Sequence, residues 1–372
     1  MFLINTPNKY RDFLKDTPKE IRAFAVKEYI TNKKNSEEQY VNKVNKEKWN
    51  REKYVDYKPK NIKKPKMNFR KKKSSQSITI TKNAVKIKNK EIKIYTTMFG
   101  EENIKITKRA KIKKTKSGKT KGDKRLEKIL TGTLCHDMKI IKTNTDKYYL
   151  CFTDDKIKKK ERADIKVVAL DPGVRTFQTG YNENEVTEFG TDMQEMLRKQ
   201  IKEREELKKK YRKQLKRMNE DRDKKDYKKL YRNKCEKIIN IVEDFQNKVI
   251  TKLMKYSTIL IPKLDTKRLL EKSELKASVK KILQAQGHGK FIEKLKDKGE
   301  ECGVKVKIVS EYLTSQTCGK CFNIYKTTEK EYKCPTCKIR IDRDINGARN
   351  IYIKELGRII EEILFMKTFS NE

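Results

Sequence analysis

Histidine is nearly absent from this 372-residue chain; only His136 and His288 occur, so little chemistry can rest on imidazole. No apolar run approaches the roughly 18 residues of a membrane-spanning helix, and Met1 to Asp12 lacks the apolar core of a secretory leader. The expectation is a soluble, intracellular protein with no membrane partner. Acid is scarce relative to base: 52 Asp and Glu face 95 Lys and Arg, a formal net charge of +43. Charged residues make up 40% of the chain, against about a quarter in ordinary domains. Such a surface repels itself unless a polyanion neutralises it, which points to nucleic acid, with anionic membrane a distant second. Hydrophobic residues, at 35%, still supply a core for two or three domains, so a small stapled scaffold is excluded. In a reducing compartment the eight cysteines are not expected to form disulfides.

Along the chain, Thr17-Pro18-Lys19-Glu20 predicts a capping box, with Ile21, Phe24, Ala25 and Tyr29 as the apolar face of the helix that follows. From Asn35 to Lys73 the chain is lysine-rich with Trp49, Tyr54, Tyr57 and Phe69 spaced among the charges, a mixture that suits phosphates and stacking bases or else a solvated helix face. Between Ser74 and Thr153 short alternating segments predict a small β-barrel or sheet. Within it, Lys108 to Arg125 carries ten basic residues and one acid, Asp123. That run reads as a solvated loop, a nuclear-import signal or a clamp on phosphates, and Lys108, Arg109, Lys111, Lys113, Lys114 and Lys116 are its candidate nucleic-acid contacts.

Lys166 to Leu170 reads as a central strand because it is apolar throughout. Two short strands follow, near Thr176 to Tyr181 and Glu185 to Phe189, and then two long helices that pair antiparallel. A fourth strand at Thr258 to Ile261, a helix through Ile282 to Leu295, a fifth strand at Val304 to Val309 and a closing helix from Ile345 to about Met366 complete the set. A three-strand meander followed by alternating helices and strands matches the order of an RNase H-like sheet.

Asp171-Pro172-Gly173 places a carboxylate at the edge of the central strand, where it serves as a turn residue or as a metal ligand. Asp342-Arg343-Asp344 leads into the last helix, where an aspartate caps the helix or binds metal, and both can hold together. Two acids converging on one sheet edge suit Mg²⁺, a hard cation that takes carboxylate oxygens and leaves room for water and phosphate. Cys318-Gly319-Lys320-Cys321 and Cys334-Pro335-Thr336-Cys337 are two C-x2-C knuckles separated by twelve residues. Four thiolates at that spacing predict one structural Zn²⁺, the competing reading being unconnected free thiols. Cys135, Cys151, Cys235 and Cys302 are expected to be packing residues.

The order Asp171-Pro172-Gly173-Val174-Arg175, Thr314-Ser315-Gln316-Thr317-Cys318, the cysteine ribbon and Asp344-Ile345-Asn346-Gly347-Ala348-Arg349-Asn350-Ile351 resembles the RuvC domain of transposon-encoded TnpB nucleases and their Fanzor relatives, over about Lys166 to Tyr352. More loosely, Thr17 to Arg22 and Arg70 to Thr81 resemble the family's recognition and wedge regions. The resemblance implies a nuclease that carries a guide RNA and cuts target DNA beside a short flanking motif. It also places an acid just after the fourth strand, where this chain has Lys263, and lysine cannot bind magnesium. Fanzor proteins carry that glutamate at the end of the next strand, and Glu311 stands there. Asp265 is the rival ligand, and a plain surface acid is the competing reading of Glu311. The chain also starts almost at the recognition helix, without the strand that often precedes it in TnpB.

The expected fold is multidomain α+β: a helical recognition segment over 1–56, a β-barrel wedge domain with the basic loop over 57–160, an RNase H-like (RuvC) α/β domain over 161–316 and 339–372, and an inserted zinc ribbon over 317–338. The expected activity is an RNA-guided DNA endonuclease in which Asp171, Glu311 and Asp344 hold two Mg²⁺, acting as a monomer with its RNA and residing in the nucleus if its host is eukaryotic. Lys263 and the short N-terminus motivate the alternative, a catalytically inactive RNA- or DNA-binding remnant, ahead of an unguided resolvase or a zinc-ribbon transcription factor.

Overall fold

The computed structural model describes residues 16–56, 58–59, 61–66, 74–88, 91–99, 104–105, 136–152, 159–162, 164, 166–214, 221–272, 275–327 and 329–369. The basic run from Lys108 to Arg125, with all six of its candidate contacts, lies outside them. The chain divides into two compact units, Met1–Asp155 and Lys156–Glu372.

The first unit opens with helix α1 (Lys19–Lys53). Pro18 stands just outside it with ψ 137, so the helix starts one residue later than the capping box requires and no side-chain cap bond forms there. Ile21 packs into the core beneath, but Val26, Tyr29, Ile30, Val41 and Trp49 are exposed, so the apolar face fades after the first turns. Strands β1 (Gln76–Ile80), β5 (Met138–Lys142) and β6 (Tyr148–Cys151) form one antiparallel sheet. A second contains β2 (Val85–Lys88), β3 (Glu91–Ile94) and β4 (Ile104–Lys105), with the short helix α2 (Thr96–Phe99) between its last two strands. Ile80, Val85, Ile92, Tyr95 and Met138 bury one shared core. The expected barrel is not seen among the described residues. Two three-stranded sheets lie there instead, and strands of two to five residues give ladders too short to close. Cys151, expected to pack, is exposed.

The second unit is built on a five-stranded sheet in the order β11-β10-β7-β8-β9. Its strands are β7 (Val167–Pro172), β8 (Gln178–Tyr181), β9 (Val186–Phe189), β10 (Thr258–Pro262) and β11 (Lys305–Val309). The first three form the antiparallel meander, while β10 runs parallel to both β7 and β11. Alternation along the strands sorts side chains to two faces. Val168, Leu170, Ile259 and Ile261 join a core with helices α3 (Met193–Gln214), α4 (Asp221–Leu253), α6 (Ala277–Gln286) and α7 (His288–Cys302). Val167, Ala169 and Leu260 instead meet Ile351 and Tyr352 of α8 (Arg343–Phe369). The single helix expected through Ile282 to Leu295 is two helices, because Gly287 adopts the left-handed region at φ 63 and ends α6. His288, at the start of α7, is buried against Phe177 with ring centroids 4.7 Å apart, and burial lowers its pKa to about 4. It is a neutral packing histidine. No helix among the described residues is long and apolar enough to cross a membrane.

Candidate active site and metal centre

The two central parallel strands bring the acids to one sheet edge. Ala169 is level with Leu260 and Pro262 with Val309, so Asp171 lies level with Val309, and Glu311 follows two residues later on the same alternation. Both therefore take the register of the face that α8 covers. Lys263 follows the end of β10, is exposed and is not among the residues that line the acids' cavity.

Helix α8 supplies the third acid and holds the other two. Asp342 caps it, its Oδ1 accepting from Asp344 N–H at 2.9 Å and Ile345 N–H at 3.4 Å. With capping assigned to Asp342, the Asp344 carboxylate is left to line the cavity. One turn on, Gly347 lets the helix backbone approach Asp171 so closely that a Cβ there would lie 2.5 Å from Asp171 Oδ2. Buried Asn350 donates to the carbonyls of Thr314 at 2.8 Å and Thr317 at 2.6 Å, and buried Asn346 donates to Thr317 and accepts from Gly319 N–H. Thr314 in turn bonds the Glu311 carbonyl through both its N–H and its Oγ1, which fixes the turn carrying Glu311.

Asp171, Glu311 and Asp344 line one cavity of about 560 Å³, together with Arg175, Lys330 and Arg343 as cations, Gln194 from α3, and an apolar side made by Leu264, Leu269, Leu275 and Val279. Among the described residues only the four ribbon cysteines gather within the span of a single ion, so the three carboxylates share the cavity without converging on one point. Their electrostatics still mark them as a group. Burial, then the charges of Asp344 and Glu311, push Asp171 well above the usual carboxylate range, and Arg343 only partly offsets this. Asp344 is raised by burial and then by Asp342, and Glu311 by burial and then by Asp265. An acid cluster with too little positive charge of its own favours an added cation. Asp265, the rival ligand, is exposed before α5 (Thr266–Lys272), where its carbonyl accepts from Leu269 N–H, and it does not line the cavity.

The ribbon forms its own small core. Strands β12 (Glu331–Lys333) and β13 (Arg340–Asp342) pair antiparallel, and Tyr332 is fully buried beside Cys318 and Cys334. The four sulfurs lie within 4.8 Å of one another, with Cys318–Cys337 and Cys321–Cys334 each at 3.5 Å. A tetrahedron with bonds of about 2.3 Å has edges near 3.8 Å, so the cluster has the size of a four-thiolate zinc site, whereas a disulfide needs about 2.05 Å. Backbone N–H groups of Lys320 and Cys337 point at Cys318 and Cys334 sulfurs, as thiolates require. The four-cysteine cluster can hold zinc, and being closed by four protein ligands it would be structural.

The motif reading singled out Asp171, Glu311, Asp344 and the four cysteines, and the fold brings each set together. It did not assign the cavity cations Arg175, Lys330 and Arg343, nor the scaffolding role of Asn346 and Asn350. The asparagines did leave a signal, since two amides at i and i+4 fall on one helical face among Ile345, Gly347, Ala348 and Ile351.

Residues 288–351 match the family model described as Cas12f1-like, TNB domain. The chain is similar to TnpB-like protein L79 of Acanthamoeba polyphaga mimivirus, at 31% identity over 198 residues covering 49% of this chain and 36% of that protein. It is likewise similar to the putative transposase A625R of Paramecium bursaria Chlorella virus 1, at 29% identity over 53% of this chain and 46% of that one. A shorter stretch of 68 residues, 18% of this chain, is 38% identical to the CRISPR-associated endodeoxyribonuclease Cas12f1 of Sulfoacidibacillus thermotolerans, of which it covers 16%. Among solved structures it is similar to the cryo-EM structure of the Cas12f1–sgRNA–target DNA complex, 17% identical with a TM-score of 0.37, covering 57% of this chain and 55% of that one. The chain spans less than half the length of these curated relatives. Over about half of its length the chain is therefore similar to TnpB-like proteins, and the motif order and cysteine ribbon read from its sequence agree with that similarity.

Proposed function

We propose that the protein is an RNA-guided DNA endonuclease whose cutting centre is the cavity lined by Asp171, Glu311 and Asp344. The observation that carries this reading is that three acids, at sequence positions 140 and 33 residues apart, line one cavity in a chain of net charge +43. The donor set fits two Mg²⁺: carboxylate oxygens suit a hard cation, and acids spread around a cavity suit a pair of ions better than one. When bound, the ions supply Lewis-acid stabilisation of the attacked phosphate and a more acidic water.

The chain's own residues do the rest. Asp171, Glu311 and Asp344 hold the metal charge in the cavity. Arg175, Lys330 and Arg343 bind the phosphate backbone beside them, Arg343 being close to Asp344, with Nε 3.9 Å from its Oδ1. The apolar side excludes water from one flank of the scissile phosphate. Sequence is read by guide RNA pairing with target DNA, so the protein needs charge more than base-specific contacts. The four-cysteine ribbon, with zinc bound, braces the turn from Glu311 to Thr317 through Gln316, whose carbonyl accepts from Tyr332 Oη at 3.1 Å and from Tyr325 N–H. Nuclear residence in a eukaryotic host follows from the DNA substrate.

The test compares Glu311→Ala with Asp265→Ala, assayed with guide RNA, a matched target and Mg²⁺. Glu311→Ala should abolish cleavage while RNA binding persists, and Asp265→Ala should stay within a few-fold of the parent chain. Full cleavage by the Glu311 variant would remove Glu311 from the centre. No metal-dependent cleavage by the parent chain would leave a nucleic-acid-binding protein.

A further inference from the structure

Helices α3 and α4 form an antiparallel pair whose charge is segregated along its length. Near the sheet, opposite charges meet: Lys234 Nζ is 2.7 Å from Glu203, Lys281 is 3.0 Å from Glu205, and Lys248 is 2.6 Å from Asp244. Farther out the basic residues outnumber the acids. Between positions 208 and 232 there are thirteen Lys and Arg against four Asp and Glu. Lys209, Lys210, Arg212 and Lys213 on α3 and Lys228 and Lys229 on α4 are exposed, and among the described residues none of the six is held in an ion pair. Lys208–Arg212, Lys209–Lys213 and Lys228–Arg232 are like-charge pairs at i,i+4, each opposing helix formation by a few tenths of a kcal/mol. The helices persist because their inner faces pack, most visibly where Tyr211 stacks on Tyr227 with centroids 3.5 Å apart and planes 1° from parallel.

We infer that this outer half of the α3–α4 pair is a docking arm for the phosphate backbone of double-helical RNA. An array of exposed cations that hold no ion pair among the described residues, on a support of two packed helices, complements a regular polyanion. Tyr211 and Tyr227 stack on each other and Tyr231 lies against Tyr227, so the rings serve the packing of the pair and the exposed lysines and arginines offer backbone contacts. Gln194 of α3 lines the cavity, and Tyr211 lies seventeen residues farther along the helix, roughly 26 Å away at 1.5 Å per residue. A purely electrostatic surface that far from the cutting centre suits the partner that stays bound, the RNA, rather than DNA that must leave after cleavage. The inference rests on the RNA-guided reading.

The experiment uses the full chain carrying Lys209→Gln, Lys213→Gln, Lys228→Gln and Lys229→Gln together, with the four Lys→Arg changes as a matched control. Filter binding to a hairpin RNA and to a DNA duplex of the same sequence is measured across a salt series. The glutamine variant should lose up to about 3.6 from the slope of log K against log salt on RNA, at roughly 0.9 for each of four phosphate contacts. It should bind RNA at least tenfold more weakly, the arginine control should match the parent, and DNA binding should change less. An unchanged RNA slope would sink the arm, and equal losses on RNA and DNA would overturn its assignment to RNA. Binding is scored without cleavage, so a chain that never cuts yet shows the arm-dependent slope would refute the nuclease reading alone.

Discussion

At Gly347 a methyl group in place of hydrogen would sit 2.5 Å from Asp171 Oδ2, closer than any real contact, and the atom it meets belongs to the proposed metal ligand. Gly347→Ala should therefore displace that carboxylate. Alanine is also the better helix former by about 1 kcal/mol, so stability should hold or rise while cleavage falls on the order of 100-fold, the cost of misplacing a reacting group by about an ångström. Comparing the thermal midpoint with the cleavage rate separates the two effects, and a variant that cuts normally would show that Asp171 tolerates the shift. The three acids also set a pH dependence. Their folded pKa values are raised, Asp171 most, so the metal-free fold gains from their protonation. That contribution is complete below the ordinary carboxylate range and is lost as pH rises through the raised values. Metal binding needs the ionised forms, so cleavage should rise over the same interval. Asp171→Asn should make the metal-free midpoint less sensitive to rising pH, as a melting series would record. Asp171 and Asp344 were legible because each sits in a short motif at an element boundary. Arg175, Lys330 and Arg343 were not, since among 95 basic residues nothing local marks the few that face a cavity.

At the scale of elements, apolar runs made the sheet legible: Val167 to Leu170 and Ile259 to Ile261 have no polar residue to place outside, so both faces had to be covered. The break between α6 and α7 was not legible. Periodicity passes through Gly287 undisturbed, and only its left-handed φ of 63 reveals the stop. A Cβ there meets nothing closer than 3.7 Å, so Gly287→Ala should cost about 1–2 kcal/mol from backbone conformation alone, read as a lower denaturation midpoint with an unchanged slope. Short alternating strands in the first unit announced a sheet but not its closure, because alternation fixes faces and says nothing about which strands pair last. The tie between α8 and the Glu311 turn makes a stronger demand. Asn350→Ala removes the side-chain donor to the Thr314 carbonyl and one of the two donors to Thr317, where Asn346 remains, at about 1–3 kcal/mol. If that tie positions Glu311, cleavage should fall more than the stability loss explains, while the Mg²⁺ concentration needed for half-maximal rate should increase. An unchanged Mg²⁺ requirement would make Asn350 a packing residue only.

For the whole molecule, charge and the ribbon pull in different directions. The ribbon adds stability that depends on metal, so Cys334→Ser or chelation should release about one zinc per chain and lower the melting temperature of the second unit. Finding no zinc in freshly reduced protein would leave the four thiols without that role. The net charge of +43 instead subtracts stability from the free chain, because like charges are brought closer by folding than they are in the unfolded state. Salt screens that repulsion, with a Debye length of about 10 Å at 0.1 M and about 3 Å at 1 M. The free chain should therefore melt at a higher temperature as salt rises. Bound RNA reverses the sign: it supplies the missing negative charge at low salt, and each phosphate contact it makes is weakened as counterions become plentiful. A ligand that binds only the folded state stabilises in proportion to the logarithm of its concentration over Kd, so weaker binding means a lower midpoint for the complex. Two melting series against salt, one with RNA and one without, should converge from opposite directions. Parallel curves would mean that the excess charge is solvated in the free protein and is not held in reserve for a polyanion.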